Sequence, residues 1–156
     1  NQTRTLRGRY NSRMSEIHNT GAARQSAWPV RVYYEDTDAG GVVYYANYLR
    51  FCERARTERL RALGINQHEL RAEQGIVFVV SRVEADYFRS AELDDELLVL
   101  STVTSMGAAS LRFMQRVMRR EECLFEAIVT IACVDWNRHR ATRIPDSLRR
   151  LLESEA

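Results

Sequence analysis

Asp36 and Asp38 stand two residues apart at the end of the strand-like run VRVYYEDTD (30–38), and Gly40-Gly41 follows them at once. An aromatic run, VVYYANY (42–48), then passes into a helical pattern. Carboxylates, paired glycines and a helix start within ten residues admit three kinds of chemistry. The first is calcium binding: Asp36-x-Asp38-x-Gly40-Gly41 matches the opening of a calcium loop, with glycine at its sixth position. The twelfth position is Asn47, where a bidentate glutamate is needed, and no helix pattern precedes the loop. The second is a plain turn, in which Asp38 or Asn47 caps the helix. The third is acyl transfer. Gly40 and Gly41 let the backbone pass close to a bound group. The N–H groups around Tyr44 and Tyr45, at the helix start, have no partners within the helix. They suit a carbonyl oxygen that is becoming an anion. Asp38, just upstream, is placed to attack a carbonyl or to activate water. The residues by themselves leave the second and third readings open.

Other catalytic constellations are poorly supported. No GxSxG elbow is present, and no spacing joins a serine to a histidine. His18, His68 and His139 are isolated, and Cys52, Cys123 and Cys133 form no CxxC or zinc spacing. The cysteines sit in apolar patterns, where burial keeps a thiol protonated and unreactive. The expectation is therefore no metal and no cofactor.

The frame is a chain of 156 residues, 45% hydrophobic, which suggests one domain with a real core. Its 23 basic and 21 acidic residues are intermixed, leaving a net charge of +2. That balance argues against a strongly electrostatic nucleic-acid binder. Every basic residue is arginine, which codon composition explains more simply than phosphate recognition. No run approaches the roughly 18–20 apolar residues of a membrane span, and no signal-peptide hydrophobic region opens the chain. Three cysteines, an odd number, read as reduced side chains of a cytoplasmic protein. Residues 1–27 are polar and aperiodic and are expected to form a mobile arm. Within it, residues 1–13 precede Met14 and are expected to be foreign to the natural chain, with Met14 its start. Residues 28–156 are expected to form the single domain.

The elements that must position Asp38 follow from periodicity. Val30, Val32 and Tyr34 alternate with Arg31, Tyr33 and Glu35, which reads as a strand. Residues 45–63 read as a helix burying Tyr48, Phe51, Cys52, Ala55, Ala62 and Leu63, with an Arg54–Glu58 pair on its surface and Gly64 as its stop. A short polar helix over 66–73 follows. Val77, Val79, Val83, Ala85 and Tyr87 then form the buried face of a strand whose wet face carries Arg82, Glu84 and Asp86. LLVLSTV (97–103), a strand through Leu111, Phe113 and Val117, and LFEAIVTIACVDW (124–136) complete the set, joined by short turns at Met106-Gly107-Ala108 and Arg120-Glu121-Glu122. SLRRLLESEA (147–156) reads as a last short helix. Short connections imply antiparallel pairing, and one long helix cannot cover both faces of a sheet. The economical architecture is α+β, a curved antiparallel sheet wrapped around the helix. Its apolar outer face predicts a homo-oligomer.

WPVRVYYEDTDAGGVVYYANYLRFCERARTERLRALG (28–64) resembles the opening of bacterial acyl-CoA thioesterases of the 4-hydroxybenzoyl-CoA thioesterase type, and most of all the Tol–Pal-associated branch. The likeness continues through VEADYFRSAELDDELLV (83–99), SLRFMQRVM (110–118) and CVDW (133–136), so that it covers roughly residues 28–145. It implies a hotdog fold, a five-stranded antiparallel sheet around one long central helix. It implies dimers, often paired as tetramers, with sites at the subunit boundary. It makes Asp38 the catalytic carboxylate, gives the carbonyl-polarising backbone N–H to Tyr45, and leaves Asp36 a structural role. Gly40 and Gly41 fall against the substrate, and Arg82 and Arg89 are candidates for the phosphates of CoA, with solvated strand charge as the competing reading. The Tol–Pal-associated branch usually carries histidine where this chain has Tyr45. The hydroxybenzoyl branch has an aromatic residue there, which favours a role for the backbone N–H. Ser90 stands where proline is expected.

The activity so implied is hydrolysis of an acyl-CoA to a free acid and CoA, with acyl carrier protein as a second possible carrier. Two rivals are a hotdog hydratase or dehydratase, which needs a histidine–carboxylate pair that the isolated histidines do not supply, and a non-enzymatic module that binds acyl carrier protein or an envelope complex.

Overall fold

The computed structural model describes residues 24–154. The expected arm lies outside the described residues as far as position 23, and so does the expected boundary at Met14. Strand β1 (Gln25–Arg31) begins inside the stretch read as arm, because Gln25–Ala27 pair with Thr102–Leu100. The sequence is polar there because the strand lies at a sheet edge, where little of it is buried.

The other elements follow in order: α1 (Asn47–Ala62), α2 (Gln67–Gln74), β2 (Ile76–Tyr87), β3 (Glu96–Met106), β4 (Ser110–Arg119), β5 (Glu122–Asp135), β6 (Arg140–Ala141) and α3 (Asp146–Glu153). The sheet runs β1-β3-β4-β5-β2, antiparallel throughout, and β6 adds a two-residue pairing to the end of β5. Helix α1 packs against β1, β3 and β4. This is the expected hotdog arrangement of a curled antiparallel sheet around one long helix.

Local chemistry explains the ends of the helices. Asn66 caps α2 by accepting the N–H groups of His68 and Glu69 at 3.0 and 3.1 Å. Gly75 ends α2 at φ +66°, a left-handed conformation that glycine adopts without strain. The core joins Phe51, Cys52 and Ala55 of α1 to Phe113 and Val117 of β4 and to Phe125, Ala127 and Val129 of β5, all nearly or fully buried. Replacing Phe51 or Phe113 by alanine should cost about 3–5 kcal/mol.

Four details depart from the periodicity. The first strand ends at Arg31, and Tyr34–Asp36 instead form a turn of 3-10 helix. Helix α1 buries Leu60 rather than Ala62, together with the charged Arg56 and Arg59. Glu58 pairs with Arg61 rather than Arg54. In β2, a bulge between Val80 and Arg82 breaks the alternation. Cross-strand partners share a face, and Phe78, Val80, Val83, Ala85 and Tyr87 oppose Cys133, Ile131, Val129, Ala127 and Phe125 of β5. Those β5 residues are buried. The inward set is therefore Phe78 and Val80, not Val77 and Val79, because one extra residue reverses the phase of a strand.

Candidate functional site

The segment between β1 and α1 is held by hydrogen bonds and by the buried Val32 and Val43. Val32, fully buried, donates its N–H to Asp95 O and accepts from Asp94 N–H, both at 3.0 Å. The chain then turns through Tyr34–Asp36, where the buried Asp36 carboxylate accepts the Tyr33 N–H at 2.8 Å. The Asp36 carbonyl accepts twice, from Tyr44 N–H at 2.9 Å and from the Asn47 side-chain amide at 2.8 Å. Asp36 therefore ties the loop to the first residue of α1, and its carboxylate faces the backbone.

Asp38 opens a tight turn, Asp38-Ala39-Gly40-Gly41. Gly41 N–H donates to Asp38 O at 3.0 Å, and Asp38 N–H donates to Val42 O at 2.9 Å. Aspartate at the first position and glycine at the fourth suit such a turn, and Gly41 takes φ +80°. The Asp38 side chain is exposed, and its Oδ1 accepts Gly40 N–H at 2.8 Å. The turn reading is thus realised, and it leaves Oδ2 with no protein partner among the described residues. Gly40 is crowded: a Cβ added to it would lie 3.1 Å from Asp38 Oδ1.

The amides at the head of α1 are not equivalent. Tyr44 N–H is taken by Asp36, and Asn47 N–H by Tyr44 O at 2.8 Å. No acceptor among the described residues takes the N–H of Tyr45 or of Ala46. The chain enters the helix through a turn at Tyr45-Ala46, so α1 starts two residues later than expected. Tyr45 is exposed, and its ring lies 4.8 Å from Tyr44 and 6.3 Å from Tyr87, centroid to centroid. Val43 N–H donates to Ala91 O at 2.8 Å, which joins this segment to the loop after β2. That loop is pinned in turn by Tyr48, whose phenol oxygen accepts Ala91 N–H at 2.9 Å, and by Arg119, which donates to Ser90 O and Asp95 Oδ2.

Asp38, Gly40, Gly41 and Tyr45 thus share one loop and helix entrance. The two arginines do not join them. Arg82 projects from the outward face of β2 and pairs with Glu84 at 2.7 Å. Arg89, just beyond β2, donates to Phe88 O and lies 3.9 Å from Glu122. Neither the concavity bordered by α1, β2 and the sheet nor the one between β1 and α1 is lined by Asp38. Within one chain Asp38, Ala39, Gly40 and Gly41 are all exposed.

Tyr87 is the residue at this entrance that the sequence reading placed only as a core-facing strand position. Its phenol donates to Tyr45 O at 2.9 Å, and its ring packs on Tyr48 and Phe125. Arg56 and Arg59 were also missed, although they follow Cys52 and Ala55 at i+4 on the apolar stripe, a spacing that marks the same helix face.

The thioesterase-like superfamily matches residues 32–152. The chain belongs to that superfamily. It is a hotdog-fold enzyme of the thioesterase class. It is 48% identical over 123 residues to the acyl-CoA thioesterase YbgC of Haemophilus influenzae, covering 79% of this chain and 90% of that protein. Its likeness to the acyl-CoA thioester hydrolase YbgC of Escherichia coli O6:H1 is also 48%, over 122 residues, 78% of this chain and 90% of the relative. A probable thioesterase from Bartonella henselae superposes with a TM-score of 0.74 at 34% identity, covering 78% of this chain and 99% of that one. In this superfamily member, the loop that carries the aspartate pair and the long helix that follows it both lie within the matched span.

Proposed function

We propose that the protein hydrolyses acyl-CoA thioesters to a free acid and CoA at the Asp38–Tyr45 entrance. The observation that carries this reading is the Tyr45 N–H. It stands without an acceptor at the head of α1, with Ala46 N–H beside it, while Tyr44 N–H before them and Asn47 N–H after them are paired. A thioester oxygen received there would be stabilised as negative charge develops, and one such donor is worth on the order of 3 kcal/mol in comparable sites. Asp38 opens the adjoining turn with Oδ2 exposed. It either attacks the carbonyl, giving a mixed anhydride and CoA thiolate, or takes a proton from the water that attacks. Gly40 and Gly41 keep this approach free of side chains. Arg82 and Arg89 remain candidates for the phosphates of CoA only if a second subunit brings them to the ligand.

A second subunit also fits the open surface around Asp38. Strand β2 has a free edge, and Val79, Val80 and Val83 are 40%, 49% and 38% exposed along it. Pairing of two copies at this edge would cover those side chains and close a wall over the entrance, giving a homodimer or a pair of dimers. The three cysteines are unbridged, which supports a reducing, cytoplasmic setting. Placement in the Tol–Pal-associated branch rests on the sequence likeness, with Tyr45 in place of the usual histidine. Acyl carrier protein is the alternative carrier, and a non-enzymatic binding module the alternative role. A panel of acyl-CoA and acyl carrier protein esters of graded length, read by free-thiol release, tests the proposal. Thiol release that depends on Asp38 supports it, and no release from any ester overturns it.

A further inference from the structure

A cavity of about 110 Å³ lies between the middle of α1 and the inner face of the sheet. This is the order of size that accepts a benzene-like group in a protein interior, about 150 Å³. Leu60, Phe78, Leu111, Phe113 and Ile131 make its walls apolar. One wall is not: Arg56 lines it and is only 9% exposed. A guanidinium carries five N–H donors. Only Nη1 is engaged, by Gln115 Oε1 at 2.7 Å. Gln115 cannot swing away, because its amide donates to Cys52 O and Ser101 Oγ at 3.0 and 2.8 Å. No carboxylate among the described residues lies within ion-pair distance of Arg56. Glu53, at the rim, accepts from the Thr57 hydroxyl instead. Its one hydrogen-bond partner is neutral, the Glu53 carboxylate acts on it only from beyond ion-pair distance, and its remaining donors suit an oxygen anion that arrives from outside.

The route to the cavity starts at the Tyr45 entrance. Arg56 lies roughly two and a half turns into α1, about 14 Å along its axis from the first residue. Phe78 and Val80 of β2 line the cavity with Arg56, and Val83, Ala85 and Tyr87 continue the same face of the strand to the entrance, where Tyr87 bonds Tyr45 O. Tyr87, Val83 and Val80 are 47%, 38% and 49% exposed in one chain, and in the dimer proposed above the partner would roof this apolar strip. We propose that the cavity is the distal subsite of the acyl group, and that Arg56 selects acyl groups whose far end carries a carboxylate. The thioester would sit at Tyr45, the chain along the α1–β2 strip, and the terminal carboxylate against the free side of the guanidinium. The proposal rests on the thioesterase reading for what enters the strip.

The test compares dodecanoyl-CoA with dodecanedioyl-CoA, which differ only at the far end. The wild type should favour the diacid ester by about tenfold or more in kcat/KM, the range of one charge-assisted hydrogen bond. Arg56→Met should reverse that preference. Because Arg56 also braces Gln115, Gln67→Glu serves as a second variant: Gln67 lines the same cavity nearer the surface, and a carboxylate there should compete with the ligand and lower the preference. Thermal shift with free dodecanedioate and dodecanoate gives a readout independent of turnover. A rise in Tm with the diacid alone, lost in Gln67→Glu, supports the subsite even if no CoA ester is hydrolysed, in which case the thioesterase reading falls. Hydrolysis with no preference for the diacid and no selective rise in Tm overturns the subsite and leaves the hydrolase standing.

Discussion

The phenol of Tyr87 donates to the carbonyl oxygen of Tyr45 at 2.9 Å, joining the end of β2 to the entrance of α1. The bond fixes the peptide that follows the Tyr45 N–H, on a ring already wedged between Tyr48 and Phe125. Burial, aided by the neighbouring Tyr45 and Tyr48, holds the Tyr87 pKa above the ordinary tyrosine value. The hydroxyl therefore stays protonated and remains a donor at neutral pH.

Tyr87→Phe keeps the ring contacts and removes only this bond. A hydrogen bond of about 1 kcal/mol corresponds to roughly fivefold. The expected outcome is a fall in kcat of that size with KM little changed and the fold intact by circular dichroism. An unchanged kcat would show that the Tyr45 peptide holds its orientation unaided.

Asp38→Asn preserves an oxygen for the Gly40 N–H, so the turn and the melting temperature should be retained. Turnover should drop by about 10²–10⁴-fold, the usual worth of a positioned acid–base group. Tyr45→Phe should keep most activity, because the backbone N–H is untouched. Steady-state kinetics on the two purified variants checks both; a large loss in Tyr45→Phe would transfer the role to the phenol.

The two glycines should separate function from stability. Gly40→Ala places a methyl 3.1 Å from Asp38 Oδ1 and should push the carboxylate aside, lowering kcat with little effect on Tm. Gly41 has open space around it but sits at φ +80°. Gly41→Ala should therefore cost about 1 kcal/mol in denaturant melts. Equal effects of the two substitutions on kcat and on Tm would contradict this division.

Asp95 anchors the loop that receives Val32 and Val43. Burial tends to raise its pKa, but the Glu92 N–H and Arg119 outweigh that and hold it below the ordinary carboxylate value. A carboxylate depressed in the folded state contributes stability above its unfolded pKa of about 3.9 and loses it as pH falls through the folded value. Wild type should therefore exceed Asp95→Asn in Tm at pH 7, and the gap should shrink below about pH 4. A gap independent of pH would remove the charge from the explanation.

Much of this was legible along the chain. The periodicity of Phe51, Cys52 and Ala55 marked the helix, and the short polar turns between apolar runs marked an antiparallel sheet, because both signals arise from neighbours in sequence. Phase was harder to read. Val77 and Val79 were read as inward until the bulge at Ser81, which depends on pairing with β5, turned Phe78 and Val80 inward instead. Arg56 and Arg59 were missed because a charged residue on an apolar stripe is tolerated only when distant groups, here Gln115 and the Ser101 carbonyl, satisfy it.

The amino-acid order alone determined the α+β class, the long helix and the Asp38-x-Gly40-Gly41 turn before it, since each rests on contacts a few residues long. Tertiary structure alone decided which amides at the helix head stay unpaired, where Tyr87 places its hydroxyl, and which arginine faces a cavity. Those outcomes depend on hydrogen bonds and burial between segments from 8 to 59 residues apart, such as Asp36 with Tyr44 and Arg56 with Gln115, and local preference carries no information about them.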